Sequence, residues 1–290
     1  MAGSAIDLWQ AEWPAPAKLN LFLHVVGRRP DGYHLLQTAF QLIDRCDRIR
    51  FDPREDGQVR LVRPISGVPE EAELCVRAAR LLQCETRSRR GVNITLSKSI
   101  PIGGGLGGGS SDAATTLMAL NRLWDLGCSQ ARLAAFALAL GADVPFFLLG
   151  QNAFGEGIGE RLTRIDLPRA WYVLLVPPVE VSTAEIFSDS ALTRDTKSIK
   201  ISSFSVGIGH NDLEPIVCRR YPVVNEYLGW LRGCNAAAAR NARLTGSGAC
   251  VFAEFASERE ALSVLASLPQ YMRGFAARGL DRHPILGMLA

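Results

Sequence analysis

The stretch Pro101-Ile-Gly-Gly-Gly-Leu-Gly-Gly-Gly-Ser-Ser111 organises this chain, because regular elements are predicted closely on both sides of it. Six of the seven residues from Gly103 to Gly109 are glycine, which cannot fill a core and costs conformational entropy to order. Before the stretch, Val92–Lys98 predicts a strand. After it, Asp112–Trp124 predicts a helix, with Ser110 or Ser111 as its cap and Asp112 in its first turn.

A strand, a glycine-rich loop and a helix N-terminus together form an anion site, because free backbone N–H groups and the helix dipole both favour negative charge. The sequence therefore predicts a phosphate cradle. The Gly-Lys-Ser/Thr of a P-loop is missing, and no second strand ending in an acid follows, as a dinucleotide fingerprint requires. The alternative is a flexible linker, which the apolar Ile102 and Leu106 within the run disfavour.

Composition indicates a folded chain with a sizeable core. Of its 290 residues, 48% are hydrophobic and 21% are charged, which argues against disorder. The formal net charge of +3 is too small to favour nucleic acid, and the basic pairs Arg28-Arg29, Arg89-Arg90 and Arg219-Arg220 are dispersed. No nucleic-acid partner is therefore predicted.

Cysteine usage and the N-terminal residues predict a cytoplasmic protein. The seven cysteines form no C-x-x-C pair, which disfavours zinc and redox sites, and their odd number indicates reduced thiols. Asp7 and Glu12 argue against a signal peptide. The longest apolar run, Leu133–Leu149, is interrupted by Gly141-Ala-Asp-Val-Pro145 and is too short to span a membrane, so no membrane partner is predicted.

The segment Ala17–Val26 alternates between two sets of side chains, which predicts a half-buried strand. Lys18 and Asn20 lie side by side on one face, and the other face carries only aliphatic residues, namely Leu19, Leu21, Leu23 and Val25. The commoner interpretation of such a lysine is an exposed charge at a strand edge. Spacing alone gives only slight support to a functional interpretation.

Arg28-Arg-Pro-Asp-Gly32 predicts a turn, because Pro30 fixes φ and Gly32 closes the turn. Tyr33 and His34 follow at once, and Leu35–Ile43 predicts a second strand. The two rings either pack over the hairpin or present an aromatic face and a hydrogen-bonding nitrogen to a base or sugar. Spacing alone favours packing.

Asp143 lies in Gly141-Ala-Asp-Val-Pro-Phe-Phe147, directly after a predicted helix over Gln130–Leu140 that stops at Gly141. Its neighbours are strongly apolar, so its carboxylate must be a helix cap, belong to an ion pair or serve a function. Before other observations, a cap for the segment after Pro145 and a functional role are equally favoured.

The remaining pattern predicts an α+β fold without a strict βαβ rhythm. Helices are predicted at Glu70–Leu82 and Glu258–Leu268, helical patches in Asn211–Trp230, and a buried strand at Trp171–Pro177. Residues 188–209 are polar and aperiodic, which predicts a mobile loop. A short tail closes the chain.

Three motifs occur in order: Pro16-Ala-Lys-Leu-Asn-Leu-Phe-Leu23, the Pro101–Ser111 stretch and Leu244-Thr-Gly-Ser-Gly-Ala-Cys250. In combination they resemble the GHMP kinase superfamily over nearly the whole chain. The Arg29-Pro-Asp-Gly-Tyr-His34 turn and the Leu140-Gly-Ala-Asp-Val-Pro145 loop resemble one branch of it, whose substrate is a cytidyl diphosphate sugar alcohol.

The resemblance implies a two-domain fold with the active site in the cleft between the domains. Residues 1–165 would form an ATP-binding domain like ribosomal protein S5 domain 2, and residues 166–290 a ferredoxin-like GHMP kinase C-terminal domain. It also implies ATP and Mg²⁺ as cofactors. The reaction would be phosphorylation of the 2-hydroxyl of the sugar alcohol in the non-mevalonate isoprenoid pathway, by a monomer or homodimer.

The resemblance also implies specific residue roles. Lys18 and Asp143 would form the catalytic pair. Tyr33 and Phe187 would sandwich the cytosine, which reverses the preference for packing, His34 would hydrogen-bond its edge, and Asn20 and Thr183 would contact the rest of the substrate. ATP would contact Lys98, Pro101, Ile102, Gly103, Gly104, Gly105, Leu106, Gly107, Gly108, Gly109, Ser110 and Ser111. The metal ligands are left unassigned.

One departure from the family pattern is visible, since Glu73-Leu74 stands where such kinases often carry Asn-Leu. Glu73 is therefore not predicted to bind adenine. The alternatives are a kinase for another small alcohol, of the mevalonate or homoserine type, a nicotinamide-dependent oxidoreductase, and a non-catalytic RNA-binding module with an S5-like fold.

Overall fold

A computed structural model describes residues 7–65, 67–205, 207–234 and 241–289. Its strands are β1 (Trp13–Arg28), β2 (His34–Arg54), β3 (Val59–Leu61), β4 (Gly91–Ser97), β5 (Ala153–Glu156), β6 (Arg161–Arg164), β7 (Trp171–Leu175), β8 (Arg243–Leu244), β9 (Val251–Phe255) and β10 (Gly274–Leu280). Its helices are α1 (Leu74–Thr86), α2 (Gly108–Leu123), α3 (Gln130–Leu140), α4 (Val144–Leu149), α5 (Thr183–Ser188), α6 (Glu214–Arg220), α7 (Pro222–Gly233), α8 (Glu258–Ala266) and α9 (Leu286–Leu289). Short 3-10 turns lie at Leu8–Gln10, Glu70–Ala72 and Ile201–Ser203.

The strands form one continuous sheet in the order β3-β4-β2-β10-β7-β9-β8, to which β1 and β5 add by pairing with β2, and β6 by pairing with β5. The β3–β4 pair is parallel and the other pairs are antiparallel. This mixed arrangement of helices and sheet confirms the predicted α+β class. Within the described ranges, every helix falls short of the length and apolar character that a bilayer-crossing segment needs.

Strand β1 contributes residues to each of three hydrophobic clusters found among the described residues. Trp13 lies in the cluster with α1–α4, Leu19 in a middle cluster, and Leu23 in the cluster with α5–α8. Both faces of the strand are therefore covered, and Lys18 and Asn20 are each only 3% exposed. The predicted half-buried strand and edge lysine are wrong, because packing from both sides encloses the polar face as well.

Helix α2 begins at Gly108, several residues earlier than predicted, and its N-terminal flanking residue is Gly107 in the left-handed region at φ 72°. The predicted Ser110 or Ser111 cap is wrong, since both serines lie within the first turn. A glycine without a side chain leaves the first amides of the helix uncapped. Helix α3 spans Gln130–Leu140 as predicted.

The predicted C-terminal tail is instead β10 and α9. Residues 274–278 of β10 pair with β7, while Gly279 and Leu280 pair with β2. Ile285 is fully buried in the same cluster as α1–α4. The end of the chain thus folds back against its first half. The predicted domain boundary at residues 165/166 stays a prediction.

Candidate active site

The structure brings Lys18 of β1 and Asp143, just before α4, into contact. Lys18 Nζ lies 3.3 Å from Asp143 Oδ2, with the lysine side chain 4% and the aspartate 34% exposed. Within the described part of the chain, the Asp143 side chain makes no capping hydrogen bond to α4. The interpretation of Asp143 as a helix cap is therefore wrong. Its carboxylate is paired with Lys18 and is partly open to solvent.

A chain of hydrogen bonds fixes the ammonium of Lys18. Nζ donates to Asn20 Oδ1 at 2.5 Å, and Asn20 Nδ2 donates to Thr38 Oγ1 at 2.8 Å. Thr38 Oγ1 in turn donates to the Phe22 carbonyl at 2.5 Å. Asn20 thus orients Lys18, and it also lines the cleft described below.

The glycine loop between β4 and α2 is rigidly held. Gly103 and Gly104 accept backbone hydrogen bonds from Ala249 and Cys250, each at 3.2 Å, and Leu106 accepts one from Lys18 N at 3.0 Å. These bonds connect the loop to both halves of the molecule. The flexible-linker interpretation is therefore wrong.

Glycine is required in this loop for two separate reasons. Gly105 and Gly107 have φ of 74° and 72°, in the left-handed region that favours glycine. A Cβ at Gly105 would overlap the Thr245 carbonyl oxygen, and one at Gly107 would lie 2.9 Å from the Phe147 ring. The bare backbone and the uncapped N-terminus of α2 together form a concave, electropositive surface suited to an anion.

Most of the predicted residues, but not Tyr33, His34 or Ser111, meet at one cleft of about 620 Å³. It is lined by both members of the Lys18–Asp143 pair and by the other predicted residues Asn20, Lys98, Pro101, Ile102, Gly103, Gly104, Gly105, Leu106, Gly107, Gly108, Gly109, Ser110, Thr183 and Phe187. An adjoining hollow of about 520 Å³, lined by Tyr33 and His34, shares Thr183 and Phe187 with the cleft. Ser111 lines neither cavity, and its buried hydroxyl has no hydrogen-bond partner among the described residues.

The adjoining hollow is an aromatic pocket. His34 and Phe187 lie with ring centroids 5.1 Å apart and planes inclined by 32°, while Tyr33 is 61% exposed. An exposed ring does not pack over a hairpin, so the interpretation of Tyr33 from spacing is wrong. Burial lowers the pKa of His34, and the positive charges of Arg194 and Arg28 lower it further, so the imidazole is neutral near pH 7.

Lys98 lies at the base of the glycine loop between two buried carboxylates. Its Nζ is 2.5 Å from Asp47 Oδ2 and 2.6 Å from Asp112 Oδ2. Burial alone would lower the pKa of Lys98, but Asp112 and Asp47 outweigh burial and raise it. One ammonium balances two carboxylates, and burial raises the pKa of Asp112 to about 8 against the opposing effect of Lys98.

This cluster predicts a specific pH dependence of stability. Below pH 8 the folded protein keeps a proton on Asp112 that the unfolded chain loses near pH 4, so stability falls as pH rises through that range. Asp112→Asn should remove this loss, and the melting temperature of the variant relative to wild type should rise between about pH 5 and 8. The exposed Asp52→Asn is the control, and a difference that is flat with pH would contradict the assignment.

Sequence reasoning missed several residues of the cleft. Thr38 and Phe40 line it from β2, Gly246 and Gly248 line it from the Leu244–Cys250 loop, and Ser247 Oγ lies 2.6 Å from Thr183 Oγ1. That loop was a recognisable motif without assigned roles, whereas nothing in the local pattern around Thr38 marks it. Glu73 and three apolar residues also line the cleft, namely Ile65, Val68 and Leu74.

A glycine-rich anion cradle beside a lysine–aspartate pair is the arrangement of a small-molecule kinase. Comparison with known families agrees with this class, since residues 73–151 match "GHMP kinases N terminal domain" and residues 197–274 match "GHMP kinases C terminal". The chain belongs to the GHMP kinase family.

Two relatives identify the branch to which the chain is similar. A protein of Nitrosospira multiformis named 4-diphosphocytidyl-2-C-methyl-D-erythritol kinase is 62% identical over 94% of this chain and 92% of its own length. A crystal structure of 4-(cytidine 5'-diphospho)-2C-methyl-D-erythritol kinase has a TM-score of 0.81 at 34% identity, over 93% of this chain and 99% of that chain. The homoserine kinase of Cytophaga hutchinsonii has a TM-score of 0.69 at 17% identity, over 94% and 95% of the two chains, which shows the shared fold alone.

Proposed function

We propose that this chain transfers the γ-phosphoryl group of ATP to the 2-hydroxyl of 4-diphosphocytidyl-2-C-methyl-D-erythritol. The observation that carries the proposal is the 3.3 Å Lys18–Asp143 pair beside the uncapped N-terminus of α2. The aromatic pocket of Tyr33, His34 and Phe187 adjoins the same cleft. The names of the relatives, and their sequence identity to this chain, support this substrate over the mevalonate and homoserine alternatives and over the oxidoreductase.

Asp143 acts as the general base in this proposal. Its carboxylate accepts the proton of the substrate hydroxyl while that oxygen bonds to the γ-phosphorus and the bond to the ADP oxygen breaks. Lys18, fixed by Asn20, lowers the cost of negative charge on the attacking oxygen. The pair is half enclosed, so its charges act in a medium that screens them less than water does.

The glycine loop holds the phosphates of ATP, and the apolar lining residues Ile65, Val68 and Leu74 accommodate its base. The fit rests on the cradle itself, because its glycines line the cleft with bare backbone and the N-terminus of α2 has no side-chain cap. Lys98 lines the cleft beside Gly108, and its ammonium offsets the negative charge of Asp47 and Asp112 next to the cradle. Mg²⁺ would neutralise phosphate charge when bound. Ser110 lines the cleft, and its hydroxyl offers an oxygen ligand of the kind that this hard cation prefers.

The reaction is tested by measuring ADP release with the cytidyl substrate, mevalonate and homoserine in parallel. The proposal expects turnover with the cytidyl substrate and at most a trace with the other two. Turnover with mevalonate or homoserine alone would overturn the proposed substrate while leaving the kinase class in place. NADH binding without ADP release would favour the oxidoreductase, and salt-dependent RNA affinity would favour the RNA-binding module.

The aromatic pocket gives a prediction about substrate affinity. Tyr33→Ala and Phe187→Ala should each raise the KM for the cytidyl substrate about 10- to 100-fold, because stacking on one aromatic ring stabilises a bound base by about 1–3 kcal/mol. The KM for ATP should stay unchanged in the same steady-state assay. Tyr271→Ala is the matched control, since Tyr271 is 65% exposed and lines neither cavity. Unchanged KM values in both pocket variants would contradict cytosine stacking.

Four further predictions accompany the proposal. The cytoplasmic location, the choice between monomer and homodimer, and the absence of a nucleic-acid partner stay predictions that fractionation, light scattering and RNA-binding assays address. The mobile loop at residues 188–209 also stays a prediction.

A further inference from the structure

Arg194 connects the His34 ring of the aromatic pocket to the backbone of the segment that carries Phe187. Its Nε donates to His34 Nε2 at 3.1 Å, and its terminal nitrogen Nη2 donates to the Phe187 carbonyl at 3.2 Å. Two further bonds, to the Asp189 and Leu192 carbonyls at 2.8 and 3.0 Å, fix the guanidinium itself. One planar group therefore sets the position of both His34 and the segment that carries Phe187.

The contact with Arg194 determines where the proton of His34 lies. A guanidinium has only donors, so the nitrogen that it contacts must act as an acceptor. In a neutral imidazole the proton is then on the other nitrogen, Nδ1. Because Nε2 already accepts a hydrogen bond from Arg194, the ring can bond to a ligand only through Nδ1, whose N–H donates.

We propose that Arg194 is a positioning residue that holds His34 in its Nδ1–H form, so that the pocket presents a hydrogen-bond donor to the pyrimidine edge and selects cytosine over uracil. Cytosine N3 is an acceptor and matches this donor, whereas uracil carries N3–H and opposes it. The choice of cytosine as ligand rests on the proposed function, but the form of the imidazole does not.

The surroundings of His34 support a neutral ring. Burial lowers its pKa first, and Arg194 and Arg28 oppose a further positive charge. Asp31 is the acid that lines the same hollow. Protonation would place an N–H on Nε2 facing the donor of Arg194, so the arginine and the charged ring are incompatible in this geometry.

The first experiment reads the form of the imidazole without substrate. Two-dimensional ¹H–¹⁵N NMR of the full chain, with the His34 signals assigned through His34→Gln, is expected to show Nδ1–H in the wild type and a mixture or Nε2–H in Arg194→Met. Only four histidines are present, so the assignment is tractable. Nε2–H in the wild type would overturn the inference without any need for a folded variant.

The second experiment measures selectivity. The ratio of kcat/KM for the cytidyl substrate to that for its uridyl analogue should fall at least about tenfold in Arg194→Met, with the change in KM rather than kcat. Arg219→Met is the matched control, because Arg219 contacts Asp189 Oδ1 at 3.1 Å on the same segment without touching His34. It should keep the wild-type ratio and the Nδ1–H form.

Equal losses of selectivity in Arg194→Met and Arg219→Met would overturn the inference, since both would then act only by holding the segment. An unchanged ratio in Arg194→Met would also overturn it. Wild-type turnover with the cytidyl substrate is measured first. Its absence would overturn the proposed function, while the NMR result decides the form of His34 separately.

Discussion

Asp143→Asn is expected to lower kcat about a thousandfold while the affinity for ATP changes little, because the substitution removes a base but keeps size and most contacts. The carboxylate lies 3.3 Å from Lys18 and is open to the cleft on one side, so it has both an opposite charge beside it and access to a hydroxyl. Single-turnover ADP formation and equilibrium nucleotide binding measure the two quantities separately.

The control for Asp143→Asn is the same chemical change at Asp166, which is exposed and lines neither cavity. Lys18→Met should show a comparable loss in kcat, and the double variant should lose little more than either single one, because the two residues act as a unit. Near-full turnover of Asp143→Asn would remove Asp143 from the mechanism. Additive losses would show that Lys18 acts independently.

Local sequence patterns anticipate the strand around Lys18 but not its burial. Alternation correctly predicts an extended segment, yet it cannot show that tertiary packing buries the polar Lys18 and Asn20 together with the aliphatic residues. The contact between Lys18 and Asp143 likewise forms only in the tertiary structure. Only the resemblance to a family, and not the spacing of the residues, predicted this pair.

The start of α2 shows where a sound local rule fails. Serine is a better N-terminal cap than glycine in most helices, so Ser110 or Ser111 was the natural prediction. Gly107 instead enters the helix from the left-handed region, and the residues whose amides a cap would satisfy line the cleft. The sequence departs from ordinary capping where the backbone is needed for a ligand.

The contact of Arg194 with His34 and the strand β10 could not be predicted from the sequence for a different reason. Both depend on partners that are distant along the chain: Arg194 contacts His34, and β10 bridges β2 and β7. The segment Gly274–Leu280 has little alternation of its own, so it is a strand because its neighbours supply hydrogen-bond partners. Long-range contacts of this kind leave no local pattern.

Gly107→Ala is expected to lower kcat/KM for ATP about a hundredfold, equivalent to roughly 3 kcal/mol. The new Cβ would lie 2.9 Å from the Phe147 ring and 3.1 Å from Lys18 Cε, so it disturbs both the cradle and the catalytic lysine. The left-handed φ of 72° adds backbone strain of about 1 kcal/mol. Nucleotide titration and ADP release measure the loss.

Gly127→Ala separates strain from collision. Gly127 follows the other end of α2 with φ of 61°, and a Cβ there meets nothing within 4 Å. It therefore imposes similar backbone strain without a collision and without touching the cleft, so its melting temperature should fall by less than that of Gly107→Ala. If both variants stay folded and only Gly107→Ala loses nucleotide affinity, the absence of a side chain at Gly107 is required for nucleotide binding. Unchanged ATP affinity in a folded Gly107→Ala protein would contradict the cradle, because its geometry leaves no room for a methyl group at that point.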